Sequence, residues 1–270
     1  MEKNIIEDMS YKIAMCISGE MRNFTDPLIR NSLSKIIDDL DCDVFISTWS
    51  HEGTSYNKIN GNVLDKRTDI NQDLTDSIND VFSGRVKSLE IEDYNQWVDV
   101  LDTSIIEMMS TKLSGGEAVT SPPQLYKIYK CNQLKIGYEN LNFFEYDITI
   151  RSRPDLIFME TPEMTNLDKI NHINFGIKGA YWPMRIFDIF FYSNNSAMNK
   201  LSNSWLSILE DSNKPINNEL DPRDACSLLY INAIKNNIEV NDLQRRICGV
   251  YRGEGYDQFV RSIEWMNNGR

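Results

Sequence analysis

The segment YDITIRSRPDLIF, residues 146–158, starts as an apolar strand and then sets Arg151, Arg153, Pro154 and Asp155 at its end. If the strand continues, Arg151 and Arg153 share one side of it, and Pro154, which has no backbone N–H, stops the ladder. Two guanidinium groups in a half-buried place are costly unless an anion or a carboxylate meets them. The segment reads either as a clamp for a diphosphate or as a structural pairing with Asp155, Asp147 or Glu160. A second cluster, SGEMRNF at 18–24, supplies Ser18 and Gly19, which let a ligand approach the backbone, and Arg22, which can hold a phosphate in a bidentate fork. A tight turn with a solvent-facing arginine would use the same residues. The glycine triplet of a dinucleotide fingerprint is missing. A third cluster, STW at 47–49, closes another apolar run.

Asp155 is the first candidate for a metal or sugar-hydroxyl contact. Asp147 cannot share an ion with it, because eight residues of extended chain at about 3.3 Å each separate them by roughly 26 Å. A divalent cation wants several oxygen ligands, of which diphosphate oxygens and water can supply most. Asp188 stands in the apolar run YWPMRIFDIFFYS, 181–193. A lone carboxylate there is either hydrogen-bonded structurally at a strand start or faces a site as a general base. Lys127 and Lys130, on one helix, either line the same site or extend into solvent.

These groups need elements to hold them. KIAMCIS at 12–18, closed by Gly19, reads as a strand buried on both faces. Asp26 and Pro27 then open a helix whose apolar stripe is Leu28, Ile29, Leu33, Ile36, Ile37 and Leu40, and CDVFISTW at 42–49 is a second strand. This is a βαβ unit, which predicts a parallel pair with a right-handed crossover. The chain from His51 to Ser83 is polar, with a helix expected near 73–82; RVKSLEI at 85–91 is a third strand, and the stretch through 97–113 shows no decisive period. SPPQLYKIYKCNQLKIGYENLNFF, 121–144, reads as a helix capped by Ser121 and opened by Pro122 and Pro123, leading into the 146–158 strand.

Beyond it, 188–210 reads as strand, turn and helix, 221–240 as a helix opened by Pro222 and then a strand, and the tail RRICGVYRGEGYDQF as ending in Gly-rich, exposed chain. The alternation predicts an α/β fold in one domain, 1–270, with a mostly parallel central sheet flanked by helices and an elaborated C-terminal half. In open α/β sheets, ligands bind outside the carboxyl ends of the strands. All three polar clusters follow predicted strands at that end.

The 270 residues are 41% hydrophobic and 25% charged, an ordinary globular balance. A net charge of −12 argues against nucleic acid as a partner, while a local basic cluster can still serve a small phosphorylated ligand. Cys16, Cys42, Cys131, Cys226 and Cys248 are odd in number and widely spaced without a CxxC, which predicts buried free thiols in a reducing cytosol. His51 and His172, both read as loop residues, argue against a multi-histidine metal centre. The N-terminus lacks the basic region of a secretory signal, and no run approaches the length of a membrane span. The expectation is a cytoplasmic protein with no transmembrane segment.

Taken in order, CISGEMRNF, CDVFISTW, PPQLYKIYKCNQLK, YDITIRSRPDLIF and DIFFYSNNSAMNKL resemble a group of bacterial and large-virus glycosyltransferases of the GT-A type found among surface-polysaccharide genes. That group carries an SGQxRxF-like turn, a DVFIHTW-like strand and an IRxRPD-like segment, and the resemblance runs from about residue 12 to about residue 240. It implies a GT-A-like, Rossmann-like fold, a nucleotide-diphospho-sugar donor and a saccharide or lipid-linked saccharide acceptor. Residues 12–160 would form the nucleotide-sugar-binding half and 161–270 the acceptor side. By position, Ser18, Gly19 and Arg22 would contact the nucleotide with Thr48 beside it, and Arg153, Pro154 and Asp155 would take the place of a DxD motif.

DxD offers two carboxylates and this chain offers one, so two readings stand. Either Asp155 holds Mn2+ or Mg2+ against the diphosphate, or Arg151 and Arg153 neutralise the leaving group themselves. In the implied transfer an acceptor hydroxyl attacks the anomeric carbon, and Asp188, with Glu219 or Asp221 in reserve, takes its proton if the centre inverts. Two rival functions share the residues: a nucleotide or sugar-phosphate binding protein without transfer activity, and a nucleotidyl or phosphoryl transferase. The missing GxxxxGK(S/T) loop argues against the P-loop form of the latter.

Overall fold

Strands buried on both faces organise the chain. The computed structural model describes residues 11–50, 54–56, 63–65, 73–82, 84–113, 119–162, 164, 172–175, 185–213, 221–242, 247–251 and 260–261. The first half runs β1 (Ile13–Gly19), α1 (Pro27–Asp39), β2 (Asp43–Trp49), β3 (Thr54–Tyr56), β4 (Val63–Asp65), α2 (Asp73–Phe82), β5 (Val86–Glu92), α3 (Tyr94–Asp99), α4 (Thr103–Met109) and α5 (Ser121–Asn142). The second half runs β6 (Ile148–Ser152), β7 (Leu156–Phe158), β8 (His172–Phe175), β9 (Phe190–Asn194), α6 (Asn195–Ser202), a 3-10 turn (Asn203–Ser207), α7 (Ile208–Asp211), α8 (Ala225–Lys235), β10 (Glu239–Asp242) and β11 (Cys248–Val250).

Among the described residues seven strands pair into one sheet, in the order β5-β2-β1-β6-β9-β8-β10. β1 lies parallel to β2 and β6, β2 to β5, and β8 to β10. Only β9 is reversed, running antiparallel to β6 and to β8. From β1 the chain steps outward through β2 to β5, and then returns to lay β6 on the other side of β1. The reversal makes a topological switch point between β1 and β6, where an open α/β sheet forms its ligand crevice. This is a mixed α/β, Rossmann-like arrangement with a mostly parallel central sheet.

β1 shows why both faces are covered. Ile13, Met15 and Ile17 pack in one cluster with Ile29, Leu33, Ile36 and Ile37 of α1, while Ala14 and Cys16 join Phe45 and Cys131 in another. The small residues on that second face let α5 lie close, and the Cys131 thiol sits 3.5 Å from the Ile17 carbonyl and 3.2 Å from that of Phe45. A third cluster, with Ile128, Phe191, Met198, Leu201, Leu228 and Leu229, joins α5, α6 and α8 over the second half of the sheet. α1 begins as the sequence predicts: Asp26 accepts the Leu28 N–H at 2.9 Å, with Pro27 at the first position.

Several expectations need correction. Ser121 is not the cap of α5 but its first residue; its hydroxyl donates to the Arg223 carbonyl at 2.6 Å, and Thr120 holds the cap position without a side-chain hydrogen bond. The strand at 190–194 enters α6 with no intervening turn, because Asn194 ends the strand and caps the helix through Ala197 N–H at 2.8 Å. α8 is opened by Asp224, not Pro222, since the Asp224 carboxylate is free to accept from Ser227 N–H. The Gly-rich end of the tail, 252–259, lies outside the described residues. β11 pairs antiparallel with β7, and Cys248 and Tyr251 are buried.

His172 opens strand β8 instead of lying in a loop, and His51 lies outside the described residues. The stretch without a period holds two short helices, α3 and α4, capped by Asp93 and Asp102. The cysteines are free thiols, four of them buried and Cys226 half-buried. Among the described residues no helix is long and apolar enough to cross a membrane.

Candidate functional site

A cleft of about 270 Å³ opens at the carboxyl ends of β1, β2 and β6, on the switch point. Ser18, Gly19, Glu20 and Arg22 line it from the turn after β1, Trp49 from the end of β2, and Tyr94 from the start of α3. Thr120, Pro123 and Gln124 reach it from the start of α5, and Arg151, Arg153 and Pro154 from the end of β6. Each of the three polar clusters in the sequence thus contributes a wall.

Arg151 is buried to 2% exposure, with Nη1 donating to the Ile189 carbonyl at 2.7 Å and Nη2 to the Ser18 carbonyl at 3.5 Å. Its Nε and the neighbouring Ser18 Oγ are buried without a hydrogen-bond partner among the described residues. A buried polar atom left unsatisfied costs about 1–3 kcal/mol, so two such atoms at one cleft call for an account. Burial pulls the Arg151 pKa down to about 10, with the charges of Asp188 and Asp155 opposing it. At neutral pH the guanidinium stays charged.

Arg153 forms a fork on Asp155, Nε to Oδ1 at 2.9 Å and Nη2 to Oδ2 at 2.7 Å. Burial opposes the charge on Arg153, but the Asp155 carboxylate outweighs burial and holds the pKa above its ordinary value. Arg22 adds a third guanidinium, with Nη2 3.1 Å from Glu20 Oε2 and Nη1 3.7 Å from Asp155 Oδ2. Burial, then the charge of Arg153, lowers its pKa. The turn that carries it is strained: Arg22 has φ 50° and Gly19 φ 115°.

The strain makes a prediction. A Cβ at Gly19 would meet nothing within 4 Å, so the cost of Gly19→Ala is backbone conformation and not collision. Thermal unfolding of the variant is expected to show a loss of roughly 1–3 kcal/mol. An unchanged melting temperature would mean that the turn relaxes without cost.

One wall of the cleft is aromatic. The Trp49 ring meets Tyr94 edge-on at 5.2 Å between centroids, Trp97 at 5.0 Å and Tyr126 in a stack at 5.9 Å. Lys127 is buried behind this wall, with Nζ 4.0 Å over the Trp49 ring and 2.6 Å from Glu92 Oε2, and Lys130 pairs with Glu90 at 2.8 Å. Neither lysine lines the cleft, because the acidic end of β5 takes both. Thr48 is buried, with Oγ1 donating to the Trp49 carbonyl at 3.3 Å, and is also absent from the lining.

Asp188 stands just behind the cleft. Its carboxylate accepts from the side chain of Gln124, which does line the cleft, and from the Cys226 thiol at 3.4 Å. Both Arg151 and Arg153 feel its charge. Burial and the nearby Asp188 push the Cys226 thiol well above its ordinary range, which makes it a poor nucleophile. Asp221 is committed to Arg223, accepting from Nε at 2.9 Å and Nη2 at 2.7 Å, and Glu219 lies outside the described residues.

Sequence reasoning missed Tyr94 and Gln124. Both carried a signal, since Tyr94 follows the carboxyl end of the third predicted strand and Gln124 sits in the first turn opened by two prolines. No family model matches the chain, and a search of curated proteins finds no significant match.

Proposed function

We propose that the cleft binds the diphosphate of a nucleotide-diphospho-sugar and that the protein is a GT-A-like glycosyltransferase acting on a saccharide acceptor in surface glycan synthesis. The observation that carries the reading is the arginine cluster at the switch point, where Arg151 Nε and Ser18 Oγ are buried without partners among the described residues. The oxygens of a diphosphate in the cleft would offset the charge of the three guanidiniums. Trp49 and Tyr94 offer a flat apolar wall suited to a base or sugar ring.

In the transfer, the acceptor oxygen forms a bond to the anomeric carbon while the carbon–oxygen bond to the diphosphate breaks. The bonding electrons leave with the diphosphate, where Arg22, Arg151 and Arg153 stabilise the developing charge. In an inverting reaction Asp188 takes the hydroxyl proton.

A thermal-shift screen tests the donor site with UDP, GDP, ADP, CMP and dTDP and their common sugar conjugates. A ligand at a hundredfold excess over its Kd stabilises by about 2.7 kcal/mol, which raises Tm by roughly 5–10 °C for a chain of this size. Silence from every nucleotide, repeated by calorimetry, would end the donor reading. The non-catalytic alternative has one observation in its favour: both oxygens of Asp188 already hold partners, Gln124 and Cys226. Donor binding without turnover for any acceptor would select it.

A further inference from the structure

The resemblance in sequence would place a divalent cation at Asp155, and the donor set there does not fit one. Asp155 is fully buried, and each of its oxygens accepts one arm of the Arg153 fork. A cation at that carboxylate would displace Arg153 and sit beside a second guanidinium, that of Arg22, 3.7 Å from Oδ2. Hard cations seek several anionic or carbonyl oxygens, and like charges at such distances repel. Among the described residues no three of His, Cys, Asp or Glu gather as a ligand set. The other carboxylate in the turn, Glu20, faces Arg22 at 3.1 Å.

We propose that the cleft takes a diphosphate on Arg22, Arg151 and Arg153 without a divalent cation, and that Asp155 is a positioning residue that aims the Arg153 guanidinium. The inference rests on the donor reading for the identity of its ligand. Arg153 and Arg22 meet Asp155, Arg22 also meets Glu20, and all three guanidiniums line the cleft. Arg153 gives Nε and Nη2 to Asp155, which fixes the plane of the guanidinium and leaves Nη1 for a ligand. Arg151 is anchored through Nη1 on the Ile189 carbonyl and Nη2 on the Ser18 carbonyl, and its Nε has no partner among the described residues. A carboxylate that only orients an arginine explains why the RPD segment carries one acid.

Calorimetric titration of the full chain with inorganic pyrophosphate, first in EDTA and then in manganese, tests this. The expected result is binding in EDTA that manganese does not strengthen, weakened about tenfold or more in Asp155→Asn. Binding that requires manganese would overturn it, as would an Asp155→Asn variant that keeps its affinity in EDTA. Arg153→Lys retains the charge and loses the fork, so it carries the test if Asp155→Asn fails to fold; equal affinity in that variant would remove the positioning role.

The two readings fail separately. Pyrophosphate binding in EDTA with no response to any nucleoside diphosphate would sink the donor reading and leave the metal-free arginine site. A nucleotide that binds only with manganese would do the reverse, and no binding in either condition would overturn both.

Discussion

Arg151→Met is expected to lower sugar transfer by about 10²–10³-fold, the loss seen when one preorganised donor is taken from a developing negative charge. Under the proposed reading three features support that role: 2% exposure, anchoring of both terminal nitrogens on backbone carbonyls, and a lining position at the cleft. Methionine keeps most of the side-chain volume and removes a charge whose burial is unfavourable, as the lowered pKa of Arg151 records. The Ile189 and Ser18 carbonyls lose their donor, which costs about 1–3 kcal/mol. These opposing contributions leave the fold near its original stability while the cleft loses one of its three guanidiniums. The measurement is kcat/KM with the donor found by the screen, beside a melting curve. A variant that melts as before and turns over as before would show that Arg151 only ties β6 to the loop before β9.

The parts of the molecule that follow from neighbours in sequence were legible. Asp26, Pro27 and the stripe through Ile37 specify α1 because capping and a 3.6-residue period are local properties. The apolar runs of β1 and β2 announce strands covered on both faces, and hence parallel pairing. The carboxyl-end rule then picked out Ser18, Gly19, Arg22, Arg151 and Arg153, which the fold brings to one cleft.

What escaped depends on distant partners. Lys127 and Lys130 looked like phosphate ligands, but the choice between an anion and Glu92 or Glu90 is made by β5, about forty residues earlier in the chain. β11 pairs with β7 and brings the Tyr251 N–H to the Asp155 carbonyl at 3.0 Å, a link between the tail and the RPD segment that no local pattern encodes. Pro222 and Ser121 show a subtler limit. Each matches a helix-start preference, yet the hydrogen bond that defines the start is made by Asp224 in one case and by no side chain in the other. Preference narrows the boundary to a few residues, and tertiary contact decides it.

Asp188→Asn is expected to reduce turnover by about 10²–10⁴-fold, the usual contribution of a positioned general base, while donor binding persists. Asparagine keeps the shape and one carbonyl oxygen, so it can still accept from Gln124 or Cys226 and hold the junction of α5, α8 and the segment before β9. It cannot take a proton from an attacking hydroxyl. The substitution also removes a negative charge that supports Arg151 and Arg153, and this gives the experiment its second readout. If Asp188 is the base, pyrophosphate affinity stays within about twofold because the arginines are fixed by Asp155 and by backbone carbonyls. If affinity and turnover fall together, Asp188 acts through the arginines and the base lies elsewhere. If the variant loses its fold, the carboxylate is a structural hub for Gln124 and Cys226, and the case for a binding protein without transfer activity gains a second observation.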